Sequence, residues 1–353
     1  MKDEVCPQNI IFDKLYGQEH YLNEKCAYKY YSDFWNCISI LDEAGFFCSR
    51  KSINNFCNKL KIGAGYNISQ YFQGVSEMML WLYCCKQGYS FDTDVKVGIN
   101  NNTDIDAQIQ YKGYVFNIEV KCPTLNPPVS EDILKINTGF RTVDKNRLNS
   151  EMAKVEEDVI NTIIRNSDGK FCDFQYSKNN DTKVLSYLSS CKDKFPTGNK
   201  NTLNVLLISL PSSELQDYWG YLYNAYSGIF TQGFSNTFFN ANENRYYDIK
   251  DIEATDVVIL SNIVSGHKNP KDIFDSWNLN NYFNLLCMNI HGKAFKDNPN
   301  NDAFRLLYEL FPNDNLRFEE EWEKCIEEQR KNNIPLDPIF MNSFLYDHYK
   351  ILY

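Results

Sequence analysis

The sequence predicts an α/β fold with helical extensions at both ends, and three observations predict it. Residues 104–121 alternate polar and apolar positions around a short turn, the pattern of a β-hairpin. Two nearly continuous apolar runs, 203–210 and 256–260, read as strands buried on both faces. Around them lie stretches whose apolar residues recur at helical spacing.

Residues 20–43 carry Tyr30, Phe34, Cys37, Ile38 and Leu41 at that spacing and then meet Gly45, a helix stop. After the breaker Gly63-Ala64-Gly65, Ser69 is placed to cap a helix over 69–86, with Tyr71, Phe72, Val75, Met78, Met79 and Leu82 on one face and Gly88 as terminator. Residues 89–97 have strand character and lead into a turn-rich segment. In the hairpin, Ile105, Ala107 and Ile109 point one way and Asp104, Asp106, Gln108 and Gln110 the other. Tyr111-Lys112-Gly113-Tyr114 makes the turn, and 115–121 return until Pro123 ends the strand. Residues 150–164 form an amphipathic helix with Met152, Val155, Val159 and Ile163 on its stripe. Further helices fall at 184–191 and 213–226. From Pro270 the chain reads as helical and aromatic-rich, with an acidic helix at 319–329. The division expected is a helical region at 1–65, a core at 66–265 and a helical region at 266–353.

At 353 residues, 43% hydrophobic and 23% charged, the chain can bury a sizeable core, which excludes disordered, collagenous and coiled-coil classes. Its longest apolar run, 78–85, is far short of the ~20 residues that cross a bilayer. The acidic start lacks the basic and apolar stretches of a secretory signal, so a cytoplasmic protein without a membrane partner is expected. The 12 cysteines are dispersed, no Cys-x-x-Cys occurs, and His20, His267, His291 and His348 are far apart. Reduced thiols are expected, and structural zinc is not. His267 reads as a structural histidine.

The net charge of −10 excludes a protein that coats nucleic acid by charge alone. Its distribution is uneven: residues 1–150 hold 16 basic against 17 acidic side chains, and 151–353 hold 20 against 29. Between Glu43 and Glu77 there is no acid, yet Arg50, Lys51, Lys59 and Lys61 lie there. A second basic stretch contains Lys135, Arg141, Lys145 and Arg147, with Lys154 beyond it. Of these, Lys51, Lys59, Lys61, Arg141, Lys145, Arg147 and Lys154 are the candidate phosphate contacts.

The hairpin carries the chemistry. Period-two geometry puts Glu119 and Lys121 on one strand face, and a turn at Lys112-Gly113 brings Asp106 level with Glu119 on the neighbouring strand. Paired carboxylates suit Mg²⁺, which takes one or two of them and keeps several waters. A lysine beside them can orient or help deprotonate a bound water, and the set has the parts for metal-assisted phosphodiester hydrolysis. Competing motifs are absent: no Walker A loop, no Gly-x-Ser-x-Gly, no His-Glu-x-x-His and no Gly-x-Gly-x-x-Gly.

In these residues and their order the chain resembles the PD-(D/E)xK, or restriction-endonuclease-like, nucleases. The matching pieces are Glu77 on the 69–86 helix, Asp106 in Thr103-Asp104-Ile105-Asp106-Ala107, Glu119-Val120-Lys121, and the strand at 203–210. Asp104 shares the strand face of Asp106 but matches the family pattern less well. The resemblance covers roughly 66–210 and implies a mixed central sheet flanked by helices. It also implies an endonuclease that leaves a 5′-phosphate and a 3′-hydroxyl. Asp106 and Glu119 would ligate Mg²⁺, with Mn²⁺ able to substitute, Lys121 would position the attacking water, and Glu77 would support the metal. DNA is the expected substrate and restriction or phage defence the expected setting. The acidic second half would supply target recognition, a homodimer interface or regulation. An RNA-cleaving nuclease of the same fold and a member that binds without hydrolysing are the alternatives.

Overall fold

The computed structural model describes residues 6–24, 28–63, 65–97, 103–123, 133–136, 145–176, 180–196, 201–223, 228–231, 234, 238–240, 245–271 and 275–332. Helices α1 (Tyr28–Glu43), α2 (Arg50–Lys59) and α3 (Ile68–Gln87) precede strands β1 (Ser90–Val95), β2 (Ile105–Tyr111) and β3 (Tyr114–Lys121). Then follow α4 (Asn180–Cys191), β4 (Thr202–Ser209), α5 (Leu215–Tyr223), β5 (Val257–Ser261) and β6 (Asn284–Met288). The six strands form one mixed open sheet in the order β1-β2-β3-β4-β5-β6. β3, β4 and β5 run parallel at its centre, and β1, β2 and β6 are antiparallel to their neighbours.

Alternation sorts the side chains into two buried layers. Phe116, Ile118 and Val120 of β3 and Leu203, Val205 and Leu207 of β4 face α3 and the N-terminal helices. Leu206 and Ile208 of β4, with Val258 and Leu260 of β5, face α4 and α5. Helices therefore cover both faces, as β-strands with near-continuous apolar sequence require. Every residue of α3 from Gly74 to Cys84 is buried, so this helix is enclosed rather than amphipathic. Asn67, not Ser69, caps it by accepting from the Gln70 amide, and Gly88 ends it in the left-handed region.

A chain of side-chain amides crosses the sheet between the strands. Gln108 donates to Asn117, Asn117 donates to Asn204, and Asn204 donates to the carbonyls of Pro196 and Ala254. These bonds satisfy polar groups that would otherwise destabilise a buried layer, and they fix the β2-β3-β4 register.

Two expectations are corrected. The region after Pro270 was expected to be helical, yet Asn284–Met288 forms the edge strand β6, because Asn284, Leu286 and their neighbours find hydrogen-bond partners in β5, Asp314 and Asn315. One buried cluster runs from Ile11 to Phe311 and so draws on all three of the regions into which the sequence divides. The helix expected at 150–164 is α-helical over Lys145–Lys154, π-helical over Val155–Ile160 and α-helical again over Asn161–Arg165. The wider turn shifts the phase, so Ile160 is buried while Val159 and Ile163 are exposed. Among the described residues no helix is long and apolar enough to cross a membrane.

Candidate active site

The hairpin places its acidic residues where the β1 and β3 ladders both loosen. β2 pairs with β3 from Ala107↔Ile118 to Tyr111↔Tyr114, and with β1 at Thr93↔Ala107 and Val95↔Ile105. Between the last two pairs lies Asp94, whose φ of 53° puts it in the left-handed region that aspartate tolerates better than most residues. Here the alternation also breaks: Ile105, expected beside Ala107 and Ile109, packs in the opposite layer. Asp106 sits at this interruption. Its Oδ2 accepts the Val120 amide at 2.7 Å, which anchors the carboxylate at the end of β3.

Glu119 and Lys121 share a face of β3 and are bonded, Nζ to Oε1, at 2.7 Å. Lys194, just beyond α4, donates to the same oxygen at 2.6 Å. The Glu119 carboxylate is almost fully buried, and its Oε2 has no hydrogen-bond partner. Glu77 enters from α3. Its Oε1 accepts from Gln73 at 3.0 Å, its Oε2 accepts from Lys59 at 2.5 Å, and Gln73 also holds the Val120 carbonyl at 2.9 Å. Gln73 thereby ties α3 to the strand that carries Glu119.

The Lys59 ammonium stands among three carboxylates: Glu77, Asp94 at 2.9 Å and Asp106 at 3.7 Å. It also lies 5.4 Å from the Trp81 ring centroid. Burial alone would lower its pKa, but Glu77 and Asp106 raise it overall, so Lys59 is charged. Lys121 likewise outweighs burial through Glu119 and stays protonated. Asp106 is pushed the other way. Burial first, then the negative charge of Glu77 and Glu119, raise its pKa well above the carboxylate range, and Lys59 and the Val120 amide offset only part of this.

A raised acid pKa in the folded state stabilises the protein below its unfolded value of about 3.9, and that contribution is lost as pH rises through the folded value. Asp106→Asn, which keeps an acceptor for the Val120 amide, is therefore expected to be more stable than wild type at pH 8. The gap should close as pH falls towards about 4, read from urea midpoints across that range. A wild type more stable than the variant at pH 8 would show that Asp106 is not under electrostatic pressure.

The predicted residues are thus distributed as follows. Asp106, Glu119, Lys121 and Glu77 line one locus, but not as a three-carboxylate metal set. Among the described residues no group of three or more His, Cys, Asp or Glu side chains could hold a metal ion. The reason is positional: Glu77 approaches from the α3 layer, Glu119 belongs to the opposite strand face, and Lys59 occupies the space between Glu77 and Asp106. Asp104 is exposed and outside the cluster. Lys59, expected as a phosphate contact, points inward to the carboxylates. Lys51 is exposed on α2, Lys61 is partly exposed, and Arg147 and Lys154 are exposed on the Lys145–Lys154 helix, where Lys154 pairs with Glu151 at 3.7 Å. Arg141 and the side chain of Lys145 lie outside the described residues. His267 is fully buried, bonded through Nδ1 to the Tyr30 hydroxyl at 2.7 Å.

Sequence reasoning missed Gln73, Asp94 and Lys194 as members of the site. Gln73 had a local signal, lying four residues before Glu77 on one helix face. Asp94 and Lys194 had none, because chain topology alone brings them here. Comparison with protein-family models, curated proteins and solved structures gave no match.

Proposed function

We propose that the chain is a metal-dependent nuclease of PD-(D/E)xK type that hydrolyses phosphodiester bonds, with DNA the favoured substrate. The observation that carries this reading is the buried Glu119–Lys121 pair, set beside an Asp106 whose carboxyl is crowded by two other carboxylates. Such crowding is unfavourable for folding, and residues held at that disadvantage in a polar cluster are candidates for chemistry.

The residues fit a divalent cation on two counts. Negative charge around Asp106 exceeds what Lys59 neutralises, and Glu119 keeps a buried oxygen without a partner. Asp106 and Glu119 would hold Mg²⁺ or Mn²⁺, with Glu77 supporting from beyond Lys59; two carboxylates suffice because Mg²⁺ retains waters. Bound there, the ion would polarise a phosphoryl oxygen and acidify water. Lys121, kept protonated by Glu119, donates hydrogen bonds rather than accepting a proton. It therefore orients the attacking water and balances charge on the phosphoryl oxygens. Lys194 holds Glu119 in place so that Lys121 keeps one orientation.

Lys59 favours a second reading, a member that binds without hydrolysing, since its ammonium already neutralises part of the cluster. Cleavage of supercoiled plasmid in Mg²⁺, Mn²⁺ or EDTA separates the two. Wild type is expected to nick or linearise the plasmid only with metal, and Lys121→Ala and Asp106→Asn to lose about 10²-fold or more in rate. Equal cutting by all three proteins would sink the assignment of the site; no cutting by wild type with either ion would leave the second reading.

A further inference from the structure

A cavity of about 290 Å³ opens beside the carboxylate cluster and shares Lys59 and Asp94 with it. Its lining is mixed, with Phe56 and Trp81 buried behind the partly exposed Phe46 and Phe91. Phe46, Phe56, Trp81 and Phe91 line it, and the Phe46 and Trp81 rings lie 4.9 Å apart at 33°. Its polar side chains include Ser52, Asn55, Thr93 and the paired Lys59 and Asp94.

Resting on the nuclease reading, we propose that this cavity receives one unpaired nucleobase of the substrate, so that the enzyme acts on single-stranded or locally opened DNA. Three features select this ligand. The volume suits a single planar ring system with room to spare, and the partly exposed Phe46 and Phe91 offer ring surface against which any base can pack. The Asn55 carboxamide and the Thr93 hydroxyl both donate and accept, and the Asp94 carboxylate accepts, which matches the mixed donors and acceptors of a base edge that pairing would otherwise occupy. The charge disfavours the other candidate, a phosphate: the Asp94 carboxylate stands at the cavity, and the Lys59 ammonium beside it is already engaged by Glu77, Asp94 and Asp106.

The sharing of Lys59 and Asp94 has a consequence for positioning. A base lodged against them fixes the sugar and phosphate that follow it next to Asp106, so the cavity would set which phosphodiester is presented. A fully paired duplex cannot supply the base without extruding it, at the cost of unstacking and unpairing.

The test measures binding without hydrolysis. A fluorescein-labelled single strand of about 12 nucleotides, and the same strand fully paired, are titrated with protein in EDTA and followed by anisotropy. The single strand is expected to bind about tenfold more tightly than the duplex. The double variant Phe46→Ala/Asn55→Ala is expected to lose that preference. Asn55→Leu, at an exposed position, repeats the test without removing an aromatic side chain from the core; its thermal midpoint beside that of wild type confirms that the fold is kept. Equal affinity for both DNAs, no binding to either, or an unchanged preference in Asn55→Leu and the double variant would overturn the proposal. A strand preference in a protein that cleaves nothing would uphold the base site while removing the nuclease reading, so the two fail separately.

Discussion

Glu119→Gln is expected to lower the unfolding free energy by about 3 kcal/mol and to end metal-dependent cleavage. The carboxylate is 1% exposed and neutralises two ammonium groups, Lys121 at 2.7 Å and Lys194 at 2.6 Å. A carboxamide keeps the shape but removes the charge, leaving two largely buried cations facing each other across a neutral group. Their shared environment cannot easily rehydrate them, since both lysines are less than a quarter exposed. Denaturant unfolding gives the first number and plasmid cleavage the second. The expected sign is opposite to that of Asp106→Asn a few ångströms away: one carboxylate is bound by cations and the other is crowded by anions. A Glu119→Gln protein as stable as wild type would show that the two lysines are solvated in the folded state and that the pair contributes nothing measurable.

Gly74→Ala is expected to cost about 3 kcal/mol or more, at the upper end of what overpacking does, and to disturb Lys59 as well. A Cβ at residue 74 would collide with the backbone carbonyl of Lys59 and come within 3.2 Å of Leu60 Cδ2. The obstacle is backbone, not the flexible end of a side chain, so α2 and α3 must separate. Because Lys59 is the last residue of α2, that separation withdraws its ammonium from Glu77 and Asp106. The measurement is a urea titration together with a pH profile of stability. In the variant, the share of the profile that belongs to Asp106 should grow, because Lys59 no longer offsets the carboxylates. An unchanged midpoint would mean that the two helices are not fixed at this separation.

Much of the scaffold was legible because its signals are local. The β2–β3 hairpin follows from alternation over a few residues, β4 and β5 from apolar runs closed by polar or proline residues, and the C-terminal end of α3 from Gly88, whereas its cap is Asn67 and not the Ser69 that the sequence suggests. The face shared by Glu119 and Lys121 follows from the period of a strand, and their hydrogen bond is the direct outcome. What stayed hidden depends on contacts between distant segments. β6 is short, begins with asparagine and has no turn signal of its own; it is a strand because β5 offers it an edge. Lys59 read as a candidate phosphate contact in a basic stretch, and the close approach of α2 to Gly74 sets it beside the carboxylates instead. Glu77 lies outside the stripe of Tyr71, Val75 and Leu82 that the sequence marks, yet it is buried because α3 is enclosed all round.

The aromatic knot that closes the first core joins opposite ends of the chain. The Tyr21 hydroxyl donates to the His267 carbonyl at 2.6 Å, the Tyr30 hydroxyl bonds His267 Nδ1, and the Tyr30 and Trp277 rings lie 5.0 Å apart. During synthesis the N-terminal helices leave the ribosome long before their partners exist. Part of the apolar surface of α1 is covered by α3, but the contacts of Tyr21 and Tyr30 with His267 and Trp277 wait for some 200 further residues. A chain cut short just before residue 277 would keep the packing of α3 on β3 and β4 but lose the contact of Trp277 with Tyr30 and Phe34 that closes this face.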